Sequence, residues 1–137
     1  MRVIFETKAD MEAWQVCCHF SSQEEYDEFM KWDGKRPFPK CGSCIVHLLI
    51  PKGTACVSED HGPSRCSRAF VTKILDLDKK PLESGIVTSM YDTEVICRQG
   101  EEIKPARPLD TEGITERFTG IHYFKNLEDA LKWAGKD

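Results

Sequence analysis

Residues 44–50 read Cys-Ile-Val-His-Leu-Leu-Ile, and this stretch decides the fold because it is apolar on both faces except at His47. A short apolar run bounded by turn residues is typical of a strand buried in the middle of a sheet. Pro51-Lys52-Gly53 follows the run and closes the strand. We therefore expect a sheet built around this strand.

A second, longer strand is expected over residues 68–77. One side of this extended segment would carry Ala69, Val71, Leu75 and Leu77, and the other side Phe70, Thr72 and Ile74. Shorter strands are expected at residues 2–6, 94–98 and 120–124. These segments make the middle and C-terminal part of the chain rich in β-structure.

The N-terminal part of the chain is expected to be helical. Apolar residues repeat at helical steps at Met11, Trp14 and Cys18. Ser22 and Glu25 form a capping-box pattern, which predicts a second helix that ends at Gly34. Residues 35–40 contain two prolines and cannot continue that helix, so we expect an extended connector there.

A C-terminal helix is predicted by apolar residues at i, i+3, i+4 and i+7, namely Leu127, Ala130, Leu131 and Ala134. Asn126 can cap its first amides, and Gly135 follows as a stop. We therefore expect one α+β domain over residues 1–137. Its N-terminal helices (residues 1–40) and its C-terminal helix would pack on a small mixed or antiparallel sheet from the β-rich part (residues 44–137).

Length, composition and charge limit the class of protein. The chain has 137 residues, of which 40% are hydrophobic and 31% charged, as in a single globular domain. No apolar run approaches a membrane span and the first residues lack a signal-peptide pattern, so we expect a cytoplasmic protein without membrane association. A net charge of −4 disfavours nucleic acid as a partner, because such binding needs phosphate charge neutralised.

The seven cysteines are expected to be reduced thiols, as is usual in the cytoplasm. Cys41 and Cys44 have the spacing of a metal-binding pair, and Cys56, His61 and Cys66 could complete a tetrahedral zinc site. A standard zinc motif would include a second close pair, which this chain lacks. Reduced, partly buried thiols and no cofactor are therefore favoured, with structural zinc as the alternative.

Four segments follow the central strand in order: Arg65-Cys66-Ser67-Arg68-Ala69, Gly100-Glu101-Glu102-Ile103-Lys104-Pro105, Gly120-Ile121-His122-Tyr123-Phe124 and Glu128-Asp129-Ala130. This order resembles an uncharacterised domain family of phages, large DNA viruses and bacteria, often found beside pentapeptide repeats. The most specific part is a Gly-Ile-His-Phe-Phe-like box before the C-terminal helix. Family members often carry Cys-Ser shortly before the box, where this chain has Arg117-Phe118, so no cysteine role is transferred. The resemblance implies a fold and a viral or phage setting, but no reaction.

Four residues are candidates for binding a small anionic ligand, namely Arg65, Arg68, Lys73 and His122. The three basic residues follow a glycine-containing loop, and guanidinium groups beside loop amides can hold phosphate or carboxylate. The imidazole can exchange a proton or bind an anion. The simpler alternatives are solvated surface charge for the three basic residues and a structural, hydrogen-bonded histidine.

The sequence contains no nucleophile elbow, phosphate loop or GxGxxG motif. We therefore expect a non-enzymatic binding module, encoded by a phage or virus, that engages a host protein or sequesters a small anionic, nucleotide-like ligand. One alternative is an enzyme acting on a nucleotide-like substrate, with His122 and the arginines around a cleft. Another is a zinc-stabilised protein-interaction domain. The oligomeric state is left open.

Overall fold

The fold is built from two four-stranded antiparallel sheets and two short helices in a computed structural model that describes residues 2–35, 41–60, 62–105, 107–111 and 119–135. The strands are β1 (Val3–Glu6), β2 (Met11–Phe20), β3 (Gly42–Ile50), β4 (Ala55–Ser58), β5 (Ser64–Cys66), β6 (Phe70–Leu75), β7 (Ile86–Ser89) and β8 (Ile121–Tyr123). The helices are α1 (Gln23–Met30) and α2 (Leu127–Trp133). Sheet A has the strand order β1-β4-β5-β8, and sheet B has the order β6-β3-β2-β7.

The main core lies between the two sheets. Successive residues of a strand point to opposite faces, so each strand contributes every second side chain to this layer. Sheet B supplies Ala13, Cys17, Val46 and Leu48, and sheet A supplies Cys56, Cys66, Ile121 and Tyr123, all within one buried cluster. The two sheets therefore form a β-sandwich.

The outer face of sheet B is also covered. Ala130 and Leu131 of α2 pack there against Val16, Ile45 and Leu75. At the C-terminal end of β2, the rings of Tyr26 and Phe29 from α1 pack against Phe20. Because β2 and β3 are covered on both faces, the prediction of a central buried strand at residues 44–50 is confirmed.

The prediction of an α+β fold with N-terminal helices packed on a sheet is wrong. Met11, Trp14 and Cys18 lie on β2, which pairs antiparallel with β3 from Met11 to His19. A strand buried on both faces has a nearly continuous apolar sequence, and such a sequence also contains apolar residues at helical spacing. Only α1 is helical in the described N-terminal part, and none of its residues is buried.

Both helices that were predicted from caps are present. Ser22 Oγ accepts a hydrogen bond from the Glu25 amide at 3.2 Å, and the Glu25 carboxylate accepts one from the Ser21 amide at 2.8 Å. Helix α1 ends at Met30, earlier than the predicted stop at Gly34. Asn126 Oδ1 accepts from the Asp129 amide at 2.9 Å and begins α2 as predicted. Residues 36–40 of the expected connector lie outside the described residues.

A β-bulge changes the predicted pattern of β6. Leu48 of β3 faces Val71, but His47 faces Lys73, so Thr72 is the extra residue. The bulge moves the side chains that follow to the opposite face. Val71 therefore lies between the sheets and Leu75 lies under α2, although the sequence placed both on one side.

The remaining predicted strands differ in how far they form. The strand at residues 120–124 is present as β8, and the one at residues 2–6 is present as β1. Residues 94–98 form only an isolated antiparallel bridge, between Ile96 and Thr88. Within the described ranges, neither helix has the length and apolar character needed to cross a bilayer.

Candidate functional site

Arg65 lies on β5 and is 2% exposed, so it is an internal residue. Its Nη1 donates to Thr119 Oγ1 at 2.9 Å, and its Nη2 lies 3.6 Å from Glu59 Oε1. Burial lowers the pKa of the guanidinium, as does the charge of Arg2, while Glu59 opposes both effects. The structure pairs Arg65 with His122, its direct cross-strand neighbour on β8.

Arg68 and Lys73 lie elsewhere on the surface. Arg68 Nε is 3.2 Å from Glu102 Oε1, and the guanidinium lies 5.1 Å from the centre of the Phe70 ring. Lys73 is exposed on β6, opposite His47. The two guanidinium groups therefore contact different carboxylates, Glu59 and Glu102.

His122 is buried and stacked on Tyr91, with ring centroids 3.8 Å apart and an angle of 16° between the ring planes. Tyr91 in turn shares a side-chain hydrogen bond with Trp133 of α2, in which the indole N–H is the donor. Burial raises the pKa of the Tyr91 hydroxyl, and the bond to Trp133 partly offsets this rise. The Phe124 ring also lies against the Trp133 indole, with ring centroids 5.8 Å apart.

An open groove of about 690 Å³ runs beside α2, and we call it the α2 groove. The turn between β4 and β5, the end of β8 and the exposed side of α2 form its walls. Its charged lining residues are Glu59, Asp60, Lys125, Asp129 and Lys132, and its aromatic ones are Tyr123, Phe124 and Trp133. Gly62 also lines it, and its φ of +80° favours glycine, while a Cβ there would only make ordinary contact with the Trp133 ring, at 3.4 Å.

The sequence hypothesis missed Trp133, Tyr91 and the groove. The sequence did offer one signal for Trp133, because this large aromatic residue falls outside the apolar stripe of the predicted C-terminal helix. In the structure its side chain is 50% exposed. Tyr91 gave no local signal, because its partners are more than 30 residues away in the chain.

A second cluster surrounds His47, which the sequence marked only as the polar residue of the central strand. His47 Nε2 lies 3.0 Å from Glu12 Oε1, and His47 Nδ1 contacts the hydroxyl of Thr72 at the bulge. The Trp14 ring lies against the imidazole at a centroid distance of 4.4 Å. Carboxylate, imidazole and hydroxyl thus form one hydrogen-bonded chain at the surface of sheet B.

The cysteines of the zinc hypothesis divide into two pairs. Cys41 is half-buried just before β3 and Cys44 is buried on it, whereas Cys56 and Cys66 face each other across β4 and β5 in sheet A. Burial raises the pKa of the Cys44 thiol to about 12. Across the described part of the chain, no group of three or more histidine, cysteine or acidic side chains is placed to hold a metal ion. His61 and the Arg117-Phe118 pair lie outside the described residues.

The fold and the groove define a β-sandwich domain with an open candidate site beside α2. A family of unknown function, DUF5758, matches residues 2–130, and the chain therefore belongs to that family. The prediction of an uncharacterised domain family is confirmed, and the match begins well before residue 44. No curated protein and no solved structure matches the chain.

Proposed function

We propose that the chain is a non-enzymatic binding module that holds a segment of a partner protein in the α2 groove. The main support is Trp133, which is 50% exposed while its indole packs against the Phe124 ring at a centroid distance of 5.8 Å. A large aromatic side chain held in one position loses little entropy on binding, and such residues are enriched among those that dominate binding energy. Trp133 is the anchor of the proposed site.

The charges of the groove favour a polypeptide over a small anion. Three carboxylates (Glu59, Asp60 and Asp129) and two ammonium groups (Lys125 and Lys132) line it. Glu59 is already paired with Arg2 and Arg65, so the remaining lining is balanced, with two carboxylates and two ammonium groups. A peptide can supply both signs of charge, which complements this mixed lining better than a phosphate does. The nucleotide-like ligand at Arg65, Arg68, Lys73 and His122 stays a separate prediction.

The setting of the binding module follows from the family resemblance. A phage or large-virus origin, with pentapeptide repeats nearby, would make the partner a host protein. A cytoplasmic location belongs to the same proposal. Native mass spectrometry of the purified protein would test the zinc alternative, because a stoichiometric zinc ion would support a metal-stabilised interaction domain.

Selection from a displayed library of random peptides tests the groove directly. We expect selected peptides to bind the parent protein and to lose at least about tenfold in affinity with Trp133→Ala. Trp32→Ala is the matched control, since Trp32 is also exposed but follows α1. Affinity should be unchanged in this control variant.

Two results would contradict the proposal. One is selected peptides that bind the Trp133→Ala variant as well as they bind the parent. The other is calorimetric binding of mononucleotides or dinucleotide cofactors that depends on Arg68 and Lys73 and is unaffected by Trp133→Ala. The second result would favour the small anionic ligand.

A second candidate function, an enzyme, is favoured by the chain from Glu12 through His47 to Thr72. In the neutral His47 imidazole, Nε2–H can donate to Glu12, and Nδ1 can accept the proton of the Thr72 hydroxyl. Hydrolases activate their nucleophiles with the same order of carboxylate, imidazole and hydroxyl. The same hydroxyl can instead donate to the His47 carbonyl oxygen, 3.1 Å away. That alternative gives the cluster a structural role in fixing the bulge.

An activated ester such as p-nitrophenyl acetate separates these roles. If the cluster is catalytic, the parent protein turns the ester over, and both His47→Gln and Thr72→Val abolish turnover. Lys73→Ala, on the same strand but outside the chain of hydrogen bonds, should retain it. If the folded parent protein hydrolyses the ester no faster than buffer does, the enzyme proposal is wrong and the cluster has a structural role.

A further inference from the structure

Strand β1 is the edge of the sandwich that the rest of the described chain leaves uncovered. Sheet A ends at β1, and none of the described residues pairs with its outer side. The other edges have partners over part of their length. Glu102 and Pro81 bridge to β6, and Ile96 bridges to β7. Beyond the end of β8, Phe124 exchanges backbone hydrogen bonds with Trp14 of sheet B.

The direction of the backbone groups of β1 follows from its last contact. The Thr7 amide donates to the Thr54 carbonyl at 2.9 Å, so the N–H of Thr7 points towards β4. These directions alternate along an antiparallel strand, and Phe5 and Val3 therefore also face β4. The N–H and C=O groups of Arg2, Ile4 and Glu6 point away from sheet A.

The side chains of β1 alternate in the same way. Phe5 packs against the core between the sheets. Arg2, Ile4 and Glu6 lie on the other face of sheet A, where Arg2 Nε contacts Glu59 at 2.9 Å. Ile4 is 55% exposed and Val3 is 49% exposed, which is unusual for aliphatic residues on a strand edge that lacks protection.

We propose that β1 is a dimer interface, at which β1 of a second copy of this chain pairs antiparallel about a two-fold axis at Ile4. In this register Ile4 faces Ile4 of the second copy, and Val3 faces Phe5. Arg2 faces Glu6 at both ends of the interface. Sheet A would continue from one copy into the other as a single sheet.

Two independent features select this register. Residues Arg2, Ile4 and Glu6 present their outward N–H and C=O groups to the same groups of the second copy, as hydrogen-bonded antiparallel pairs require. The strand is also self-complementary in charge, because Arg2 and Glu6 lie at equal distances from Ile4. A shift by two residues would place a charged residue against Ile4 and remove both ion pairs.

The strength of this dimer is limited by its size. A strand of four residues buries less surface than a standard stable interface, which covers about 1,200–2,000 Å². We therefore expect a reversible dimer whose population rises with protein concentration. The interface adjoins the α2 groove, because Glu59 of the groove contacts Arg2. Trp133→Ala changes no residue of β1 and Ile4→Pro changes no residue that lines the groove, so the two proposals can still fail independently.

Sedimentation of charge variants tests the interface. Arg2→Glu makes both ends of β1 acidic and Glu6→Arg makes both ends basic, so each variant alone should dimerise at least about tenfold more weakly than the parent. An equimolar mixture of the two variants should form a heterodimer, because each Glu then faces an Arg. Glu28→Arg, on the exposed side of α1, carries the same charge change as Glu6→Arg and should dimerise like the parent.

A further variant covers the case in which Arg2→Glu fails to fold beside Glu59. Ile4→Pro removes the outward N–H at the two-fold axis and no N–H that faces β4, so it should keep the fold and abolish the dimer. The proposal is overturned if the parent sediments as a monomer up to about 1 mM. Parental dimerisation of Ile4→Pro, or a mixture of charge variants that stays monomeric, would overturn it too.

Discussion

Tyr91 and His122 stack almost face to face at a centroid distance of 3.8 Å, which attaches the loop after β7 to β8. Tyr91→Phe should keep this stack and lose only the hydrogen bond to Trp133, whereas Tyr91→Leu loses both. Because an aromatic pair contributes about 0.5–1.5 kcal/mol beyond its buried area, Tyr91→Leu should be the less stable variant by about that amount. Urea denaturation measures the difference, and equal midpoints would contradict a stabilising stack.

Arg65 and Arg68 should differ strongly in their effect on stability. Arg65→Ala removes a buried guanidinium and leaves Thr119 Oγ1 with the Asp110 amide as its remaining donor, so we expect a loss of about 1–3 kcal/mol. Arg68→Ala breaks a half-exposed ion pair with Glu102 and should cost less than about 1 kcal/mol. Chemical denaturation compares the two variants, and similar small losses would refute an internal role for Arg65.

Leu131 should be the most sensitive position of α2. It is 6% exposed and packs on the outer face of sheet B, so Leu131→Ala is expected to cost about 2–5 kcal/mol. Leu127→Ala is the matched control, because Leu127 belongs to the same stripe but is only partly buried. A smaller loss is expected there, and a parental midpoint for Leu131→Ala would contradict the packing of α2.

Stability should fall at alkaline pH because of the buried thiol of Cys44. Its pKa rises from 9.0 to about 12 on folding, mainly through burial. This contribution is complete below pH 9, where both states are protonated, and is lost as the pH rises towards 12. The slope in this window is about 1.4 kcal/mol per pH unit for one thiol.

Comparison of two alanine variants isolates this thiol from the other groups that titrate at high pH. Cys44→Ala should reduce the slope of unfolding free energy against pH between 9 and 12. Ser43→Ala, next to Cys44 on β3, removes no thiol, so it should retain the parental slope. Identical slopes in both variants would refute the assignment.

The elements that depend on local sequence were predicted well. The cap at Asn126 and the apolar stripe of α2 are contained within nine residues, and the strand at 44–50 is marked by its own composition. Strand β2 was predicted wrongly because its partners β3 and β7 are distant in the chain. The bulge at Thr72 has the same cause, since the register between β3 and β6 is set by tertiary packing.

The candidate site was harder to predict than the fold. Arg65 is a charged residue that follows a loop, and such residues are usually exposed. Its pairing with β4 and β8 nevertheless buries it. The α2 groove joins residues 58–64 with residues 123–133, and such a combination leaves no spacing pattern. The membership of an uncharacterised family was predicted correctly, and the family matches residues 2–130.

The order in which the chain visits the two sheets has a consequence for folding kinetics. It passes from β1 in sheet A to β2 and β3 in sheet B, then returns for β4 and β5, leaves again for β6 and β7, and comes back for β8. Neither sheet is built from one continuous segment, so most contacts join distant residues and folding is expected to be slow for a chain of this size. During synthesis, sheet A stays incomplete until Tyr123 has left the ribosome, and a nascent chain stopped earlier would expose the apolar inner face of sheet B.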